Sequence, residues 1–325
     1  MKTINEHIKK KEYKSVYLIY GPEAYLRKQA KDKLKEALVP PEDTMNYSYY
    51  EGNKVDINEI NSLANTLPFF SDHRLIIMEG TNLFKNTPDE LLDLIKAEMG
   101  STISVFIEQE VDKRGKLYKA IQKAGYIAHM ESLDEKSLNI WIGSMLKREE
   151  KKIMDSTLKL FLEKTGSDMV QIKNELDKLF AYTLGREEIT REDVLAVTST
   201  TTTSKIFDMM AHIANRQQKK ALDLYYDLLT LKEPPMKILA LLTRQFNLVM
   251  QAKELERHGQ NNAAIGKKIG LPAFVVGKYC NQGKHFTAER LMEMLTQCAK
   301  TEEAAKTGKM TDVIGVELLI IDFSN

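Results

Sequence analysis

The sequence predicts an α/β domain on a parallel sheet, then a small helical domain, then an all-α domain. Three observations carry this. Short apolar runs alternate with helix-patterned segments as far as about residue 130. Strand signals stop near residue 132. Beyond about residue 205 every patterned segment has a helical period. The expected domains are therefore residues 1–131, 132–204 and 205–325.

In the first region, Val16-Tyr17-Leu18-Ile19-Tyr20 is an apolar run stopped by Gly21-Pro22, as a strand buried on both faces should be. Ser48-Tyr49-Tyr50, Leu75 to Met78, Ile103 to Ile107 and Tyr126-Ile127-Ala128 are the next strands, with helices such as Leu91 to Ile95 and Leu117 to Ile121 between them. In the second region Ser132-Leu133-Asp134-Glu135 reads as a capping box, followed by Leu138, Trp141, Ile142 and Met145 at helical spacing. Leu158, Phe161 and Leu162 mark a second helix ending near Gly166, and Met169 to Phe180 a third. A fourth is capped by Thr190. The polar, β-branched run Thr198 to Thr203 is the expected linker. After it come Ile206 to Asn215, Ala221 to Leu231, a long helix behind Pro234-Pro235, Ala288 to about Thr307, and Asp312 to Phe323.

With 325 residues the chain can bury a sizeable core. Its 47 basic and 46 acidic side chains leave a net charge of +1, which excludes a binder that holds polyanions with its whole surface. Cys280 and Cys298 lack metal-ligand spacing and read as core thiols. No metal or cofactor is expected. No signal-peptide core or membrane-length apolar run is present, so the expected location is the cytoplasm.

A strand, Gly-Pro and then a helix is how a P-loop ATPase begins. Its G-x-x-x-x-G-K-[ST] motif wraps phosphates with backbone amides and supplies a lysine and a Mg²⁺-binding hydroxyl. Here Gly21 keeps the first glycine and Pro22 follows it. Leu26 replaces the second glycine, Arg27 the lysine and Lys28 the hydroxyl. The strands that could hold a metal-binding Asp end in Glu79-Gly80 and Glu108-Gln109. The domain is expected not to hydrolyse ATP; an ATPase with Arg27 or Lys28 replacing the missing lysine is the disfavoured reading.

The order of these regions, and local wording through nearly the whole chain, resembles the delta subunit family of bacterial DNA polymerase III. The resemblance rests on Tyr17 to Glu23, Leu67-Pro68-Phe69-Phe70-Ser71-Asp72-His73-Arg74-Leu75, Asp112-Lys113-Arg114 and Trp141-Ile142. It continues in Asn174 to Leu179, Leu242-Thr243-Arg244-Gln245-Phe246, Lys306-Thr307-Gly308 and Val316-Glu317-Leu318-Leu319. It implies a degenerate, P-loop/AAA+-like first domain, a helical lid, and a helical collar through which the chain joins the gamma/tau and delta-prime subunits. It also implies a non-catalytic subunit of a DNA-directed DNA polymerase (nucleotidyltransferase) holoenzyme. Such a subunit binds the beta sliding clamp and opens one interface, so that the clamp is loaded on primed DNA.

In that family an apolar pair enters a hydrophobic pocket of the clamp. The matching segment is Leu67, Pro68, Phe69 and Phe70, with the pair at Phe69-Phe70. Two positions depart from the family pattern: Asn65 stands where Gln is frequent, and Phe69 where Leu is frequent. Arg114 and Lys116 are the DNA-contact candidates, while Lys9-Lys10-Lys11 and Lys147 to Lys152 read as solvated helix faces. From a different class, the stretch Asn262 to Val276 has the form of a helix-turn-helix, which keeps a DNA-binding regulator as the alternative function. Its second helix offers Phe274, Val275, Val276 and Tyr279, residues better suited to packing than to reading base edges.

Overall fold

The computed structural model describes residues 1–325 except 54, 98, 99 and 272, and only the backbone of Phe274. The chain divides into two compact units, Met1–Ser132 and Leu133–Asn325.

The first unit runs α1 (Lys2–Lys10), β1 (Val16–Tyr20), α2 (Ala24–Leu38), β2 (Tyr47–Glu51), α3 (Ile57–Ala64), β3 (Arg74–Glu79), α4 (Asp89–Lys96), β4 (Thr102–Glu108), α5 (Lys116–Ala124) and β5 (Tyr126–His129). The five strands form one sheet in the order β2-β3-β4-β1-β5, with every pairing parallel. Successive side chains of a strand point to opposite faces, and β1 buries both sets. Val16, Leu18 and Tyr20 join Ile76, Met78 and Phe106 in a core shared with α3, α4 and α5. Tyr17 and Ile19 fall on the opposite face and are fully buried; α2 makes contact with β1, β3 and β4. The helix α1 carries Lys9 and Lys10, and Lys11 ends it in a left-handed conformation. Its His7 Nδ1 lies 3.0 Å from the Tyr17 hydroxyl, which also accepts from the Lys14 amide at 3.1 Å.

The second unit runs α6 (Glu135–Arg148), β6 (Lys152–Ile153), α7 (Asp155–Thr165), α8 (Met169–Tyr182), β7 (Glu188–Ile189) and α9 (Arg191–Val197), then α10 (Thr202–Ala214), α11 (Gln218–Thr230), α12 (Pro235–Arg257), α13 (Asn262–Ile269), α14 (Ala273–Gly283), α15 (Ala288–Lys306) and α16 (Asp312–Phe323). Residues of α10 through α16 share one core, with Tyr225, Phe246, Val249, Met294 and Ile320 among its buried members.

Three sequence expectations are corrected in this unit. Strand structure does not stop at residue 132, because β6 and β7 pair in parallel, Lys152 with Glu188 and Ile153 with Ile189. Two-residue strands are too short to leave a period. The cap of α6 is Asp134, not Ser132: its carboxylate accepts from the Ser137 amide at 2.8 Å. The expected linker Thr198 to Thr203 overlaps the next helix and is bonded to neighbouring elements. The Ser199 amide donates to Glu175 Oε2 at 3.1 Å, the Thr201 amide to the Lys164 carbonyl at 3.2 Å, and α10 already begins at Thr202. Thr190 caps α9 as expected, and Asp193 completes a capping box with it. Arg186 adds a two-pronged contact to the same carboxylate and holds it below the usual carboxylate range. Cys280 and Cys298 are buried, and burial pushes both thiols up.

Among the described residues, no helix is long and apolar enough to cross a membrane. The same residues contain no group of three or more His, Cys, Asp or Glu able to hold a metal ion.

The junction of α5 and β5 tests the packing of the sheet. A Cβ on Gly125 would lie 2.0 Å from the Val16 carbonyl oxygen of the neighbouring strand. Gly125→Ala is therefore expected to lower stability by about 1–3 kcal/mol, measured by urea denaturation of the full chain. A variant as stable as the wild type would contradict this packing.

Candidate functional site

The turn after β1 is short. Only Gly21, Pro22 and Glu23 separate the last residue of β1 from the first of α2. Gly21 has φ +134°, a conformation open to glycine. A Cβ there would lie 2.3 Å from the Met130 carbonyl oxygen. Glu23 caps α2 by accepting from the Tyr25 amide at 3.2 Å, so a carboxylate already occupies the helix end where an anion would bind. Leu26 is buried in the core, Arg27 folds back to donate to the Gly21 carbonyl, and Lys28 is exposed. All three lie inside the helix, past the turn that would wrap a phosphate.

The carboxylates at the ends of β3 and β4 are also engaged. Glu79 pairs with Lys31 at 2.7 Å and accepts from the Tyr49 hydroxyl at 2.9 Å. Glu108 is buried and accepts from the amide and hydroxyl of Thr81 at 3.1 and 3.2 Å; burial pushes its carboxyl up.

The connection between α3 and β3 is a different kind of surface. It leaves Leu67 81%, Phe69 57% and Phe70 94% exposed, with Pro68 half-buried. The two rings meet edge to face, their centroids 4.5 Å apart. Two buried side chains hold this apolar loop from beneath. Asn46, 1% exposed and just ahead of β2, accepts from the Phe69 amide at 2.7 Å and donates to the Phe69 carbonyl at 2.8 Å. It also donates to Asp43 Oδ2 at 2.7 Å, and this bond leads the interactions that hold the Asp43 carboxyl below its ordinary range. Arg74 opens β3 and is 6% exposed; its guanidinium donates to the Leu67 and Met45 carbonyls, each at 3.3 Å. Phe70 takes a left-handed backbone at φ +49°, unusual for a bulky residue. Asn65, at the Gln position of the family pattern, instead ends α3 by donating to the Asn61 carbonyl at 2.8 Å.

The DNA-contact candidates occupy a separate stretch before and at the start of α5. Arg114 pairs with Asp112 at 3.2 Å, and Lys116 lies 3.7 Å from Asp89; both side chains are largely exposed. The run Lys147 to Lys152 is mostly solvated, except that Lys151 donates to the Thr183 carbonyl beyond α8 at 2.6 Å.

Residues 17–131 match the family model for the DNA polymerase III delta subunit, and residues 203–323 match the model for its C-terminal domain. The chain belongs to the DNA polymerase III delta subunit family. It is 26% identical to DNA polymerase III subunit delta of Bacillus subtilis, over 97% of this chain and 94% of that one. The probable DNA polymerase III subunit delta of Aquifex aeolicus is 18% identical, over 90% and 86% of the two chains. The solved Bacillus subtilis DNA clamp loader delta protein superposes with a TM-score of 0.75 at 26% identity, over 99% of this chain and 98% of that one.

In this delta-family chain the helix-turn-helix stretch is part of a packed helical core. Gly270 ends α13 with a left-handed turn, as expected of that motif. Ile265, Val276 and Tyr279, however, are buried in the core of α10 to α16, and Val275 packs against it. Those side chains of the second helix are therefore not free to enter a DNA groove. Pro272 and the side chain of Phe274 lie outside the described residues.

The early start of α2 predicts that restoring the P-loop letters does not restore the site. The triple substitution Leu26→Gly, Arg27→Lys, Lys28→Thr is expected to bind no Mg-ATP at millimolar concentration in isothermal titration calorimetry. Saturable binding by the triple variant would show that side chains alone, and not the short turn, close the site.

Proposed function

We propose that this chain is the clamp-opening subunit of a DNA polymerase III clamp loader, acting by binding energy and not by chemistry. The observation that carries this is the apolar loop Leu67 to Phe70, displayed to water on a hydrogen-bonded support. Moving a large apolar side chain out of water is worth about 1.5–3 kcal/mol, so such a display calls for an apolar pocket on a partner. The family pattern assigns that pocket to the beta sliding clamp, with Phe69 and Phe70 as anchors. Binding energy at this loop favours a clamp with one interface open, which can then be placed on primed DNA. The blocked turn at Gly21 to Lys28 supports a subunit without ATP hydrolysis or nucleotide cofactor of its own.

Residues 1–131 then serve as a degenerate AAA+ clamp-binding domain, 132–204 as a lid, and 205–325 as a collar that meets the gamma/tau and delta-prime subunits. The last helix supports a collar role. Besides its buried Val316 and Ile320, α16 leaves Val313, Ile314 and Leu318 exposed. A helix apolar nearly all round calls for cover on both sides. Arg114 and Lys116 remain the residues through which the first domain would meet DNA in the assembly. This work belongs in the cytoplasm, where the chromosome is replicated.

The test is surface plasmon resonance with the sliding clamp of the same organism, without ATP. The wild type is expected to bind tightly, and Phe69→Ala/Phe70→Ala to lose about 4 kcal/mol, roughly a thousandfold in Kd, with unchanged circular dichroism. Wild-type chain that binds no clamp would sink the proposal and make sequence-selective DNA binding the next assay. Binding that survives the double substitution would move the anchor elsewhere.

A further inference from the structure

We propose that the surface offered to the clamp is composite. Met45 belongs to it together with Leu67, Phe69 and Phe70, and Asn46 is the positioning residue that joins the two segments. The inference rests on the clamp-binding reading of the 67–70 loop and extends it to a stretch of chain more than 20 residues earlier.

Met45 is 63% exposed, although it directly precedes one of the most deeply buried polar residues of the unit. Its carbonyl and that of Leu67 accept from the two terminal nitrogens of the same Arg74 guanidinium. One residue on, Asn46 pairs with the Phe69 amide and carbonyl as a strand residue would, while its own carbonyl accepts from the Leu75 amide at 2.8 Å. The segments 45–46 and 67–69 are thus tied together through the Asn46 and Arg74 side chains, which puts the exposed Met45 on a stretch fixed to the exposed apolar loop. Methionine suits such a place, because its unbranched, polarisable side chain adapts to an irregular apolar pocket.

Asn46 is too deeply buried to touch a partner, so its contribution is preorganisation. Its side-chain amide uses both donor and acceptor on one residue, Phe69, and a further donor on Asp43 that fixes its own orientation. Loss of that pairing frees the backbone of Phe69 and, with it, the unfavourable left-handed turn at Phe70. The binding-competent loop then becomes one of several conformers, and apparent affinity falls by the competent fraction.

The test uses the full chain and the clamp, with kinetics separated into kon and koff, beside hydrogen exchange at the Phe69 amide. Asn46→Ala is expected to weaken binding about tenfold, mainly through kon, with much faster exchange at Phe69. Met45→Ala, at an exposed position that does not endanger folding, is expected to raise koff about threefold to tenfold and to leave that exchange unchanged. Wild-type binding by Met45→Ala removes Met45 from the surface. An Asn46→Ala chain that melts lower yet binds like wild type, or whose loss lies wholly in koff, overturns the positioning role. Failure of the wild type to bind any clamp would instead sink the function itself, and this inference with it.

Discussion

The first unit depends on one crowded point, the end of β1 between β4 and β5. There the Gly21 amide donates to the Glu108 carbonyl at 3.3 Å, the Met130 amide to the Tyr20 carbonyl at 2.6 Å, and the Glu23 amide to the Met130 carbonyl at 3.1 Å. Only a residue without a side chain fits so close to Met130. The chain must leave this point at once, and it does so by starting α2 three residues later. So short a turn leaves little backbone outside the helix, whereas a loop that wraps an anion needs several free amides there. The departure from the P-loop pattern thus lies in the backbone as well as in Leu26, Arg27 and Lys28.

The same sheet sets the other site. β3 is buried by its pairing with β2 and β4, so Arg74 at its first position is drawn into the interior with its charge. A buried guanidinium must find acceptors, and the carbonyls of Met45 and Leu67 are the ones in reach. Asn46 does the same for the Phe69 peptide. Polar groups taken out of water here do more than avoid a penalty. They hold apolar side chains in water, where hydrophobic collapse would otherwise fold them inward. The left-handed residue at Phe70, which costs of the order of 1–3 kcal/mol, persists because these contacts over-determine the loop.

The second unit solves a simpler problem. Its helices α10 to α16 share one core, and the stretch that resembles a DNA-reading helix pair is consumed by it through Ile265, Val276 and Tyr279. What is left over is the outer side of α16, apolar where an isolated helix would be polar.

Much of this was legible in the chain itself. Runs such as Val16 to Tyr20 and Ile103 to Ile107 announce buried parallel strands, because burial on both faces requires consecutive apolar residues. The P-loop substitutions and the apolar run Leu67-Pro68-Phe69-Phe70 are also local, readable within a few positions. The sequence missed β6 and β7, which are too short to carry a period, and misplaced the α6 cap by two residues. It could not show that α2 begins inside the would-be phosphate loop, or that Asn46 and Arg74 hold the apolar loop. By itself the sequence determined the place of the main strands and helices, the departures from the P-loop letters and the place of the apolar run Leu67 to Phe70. Tertiary structure alone decided how the side chains of that run are presented. The bonds that present them join residues 23 apart across the end of a sheet, and a contact made at that distance leaves no pattern along the chain.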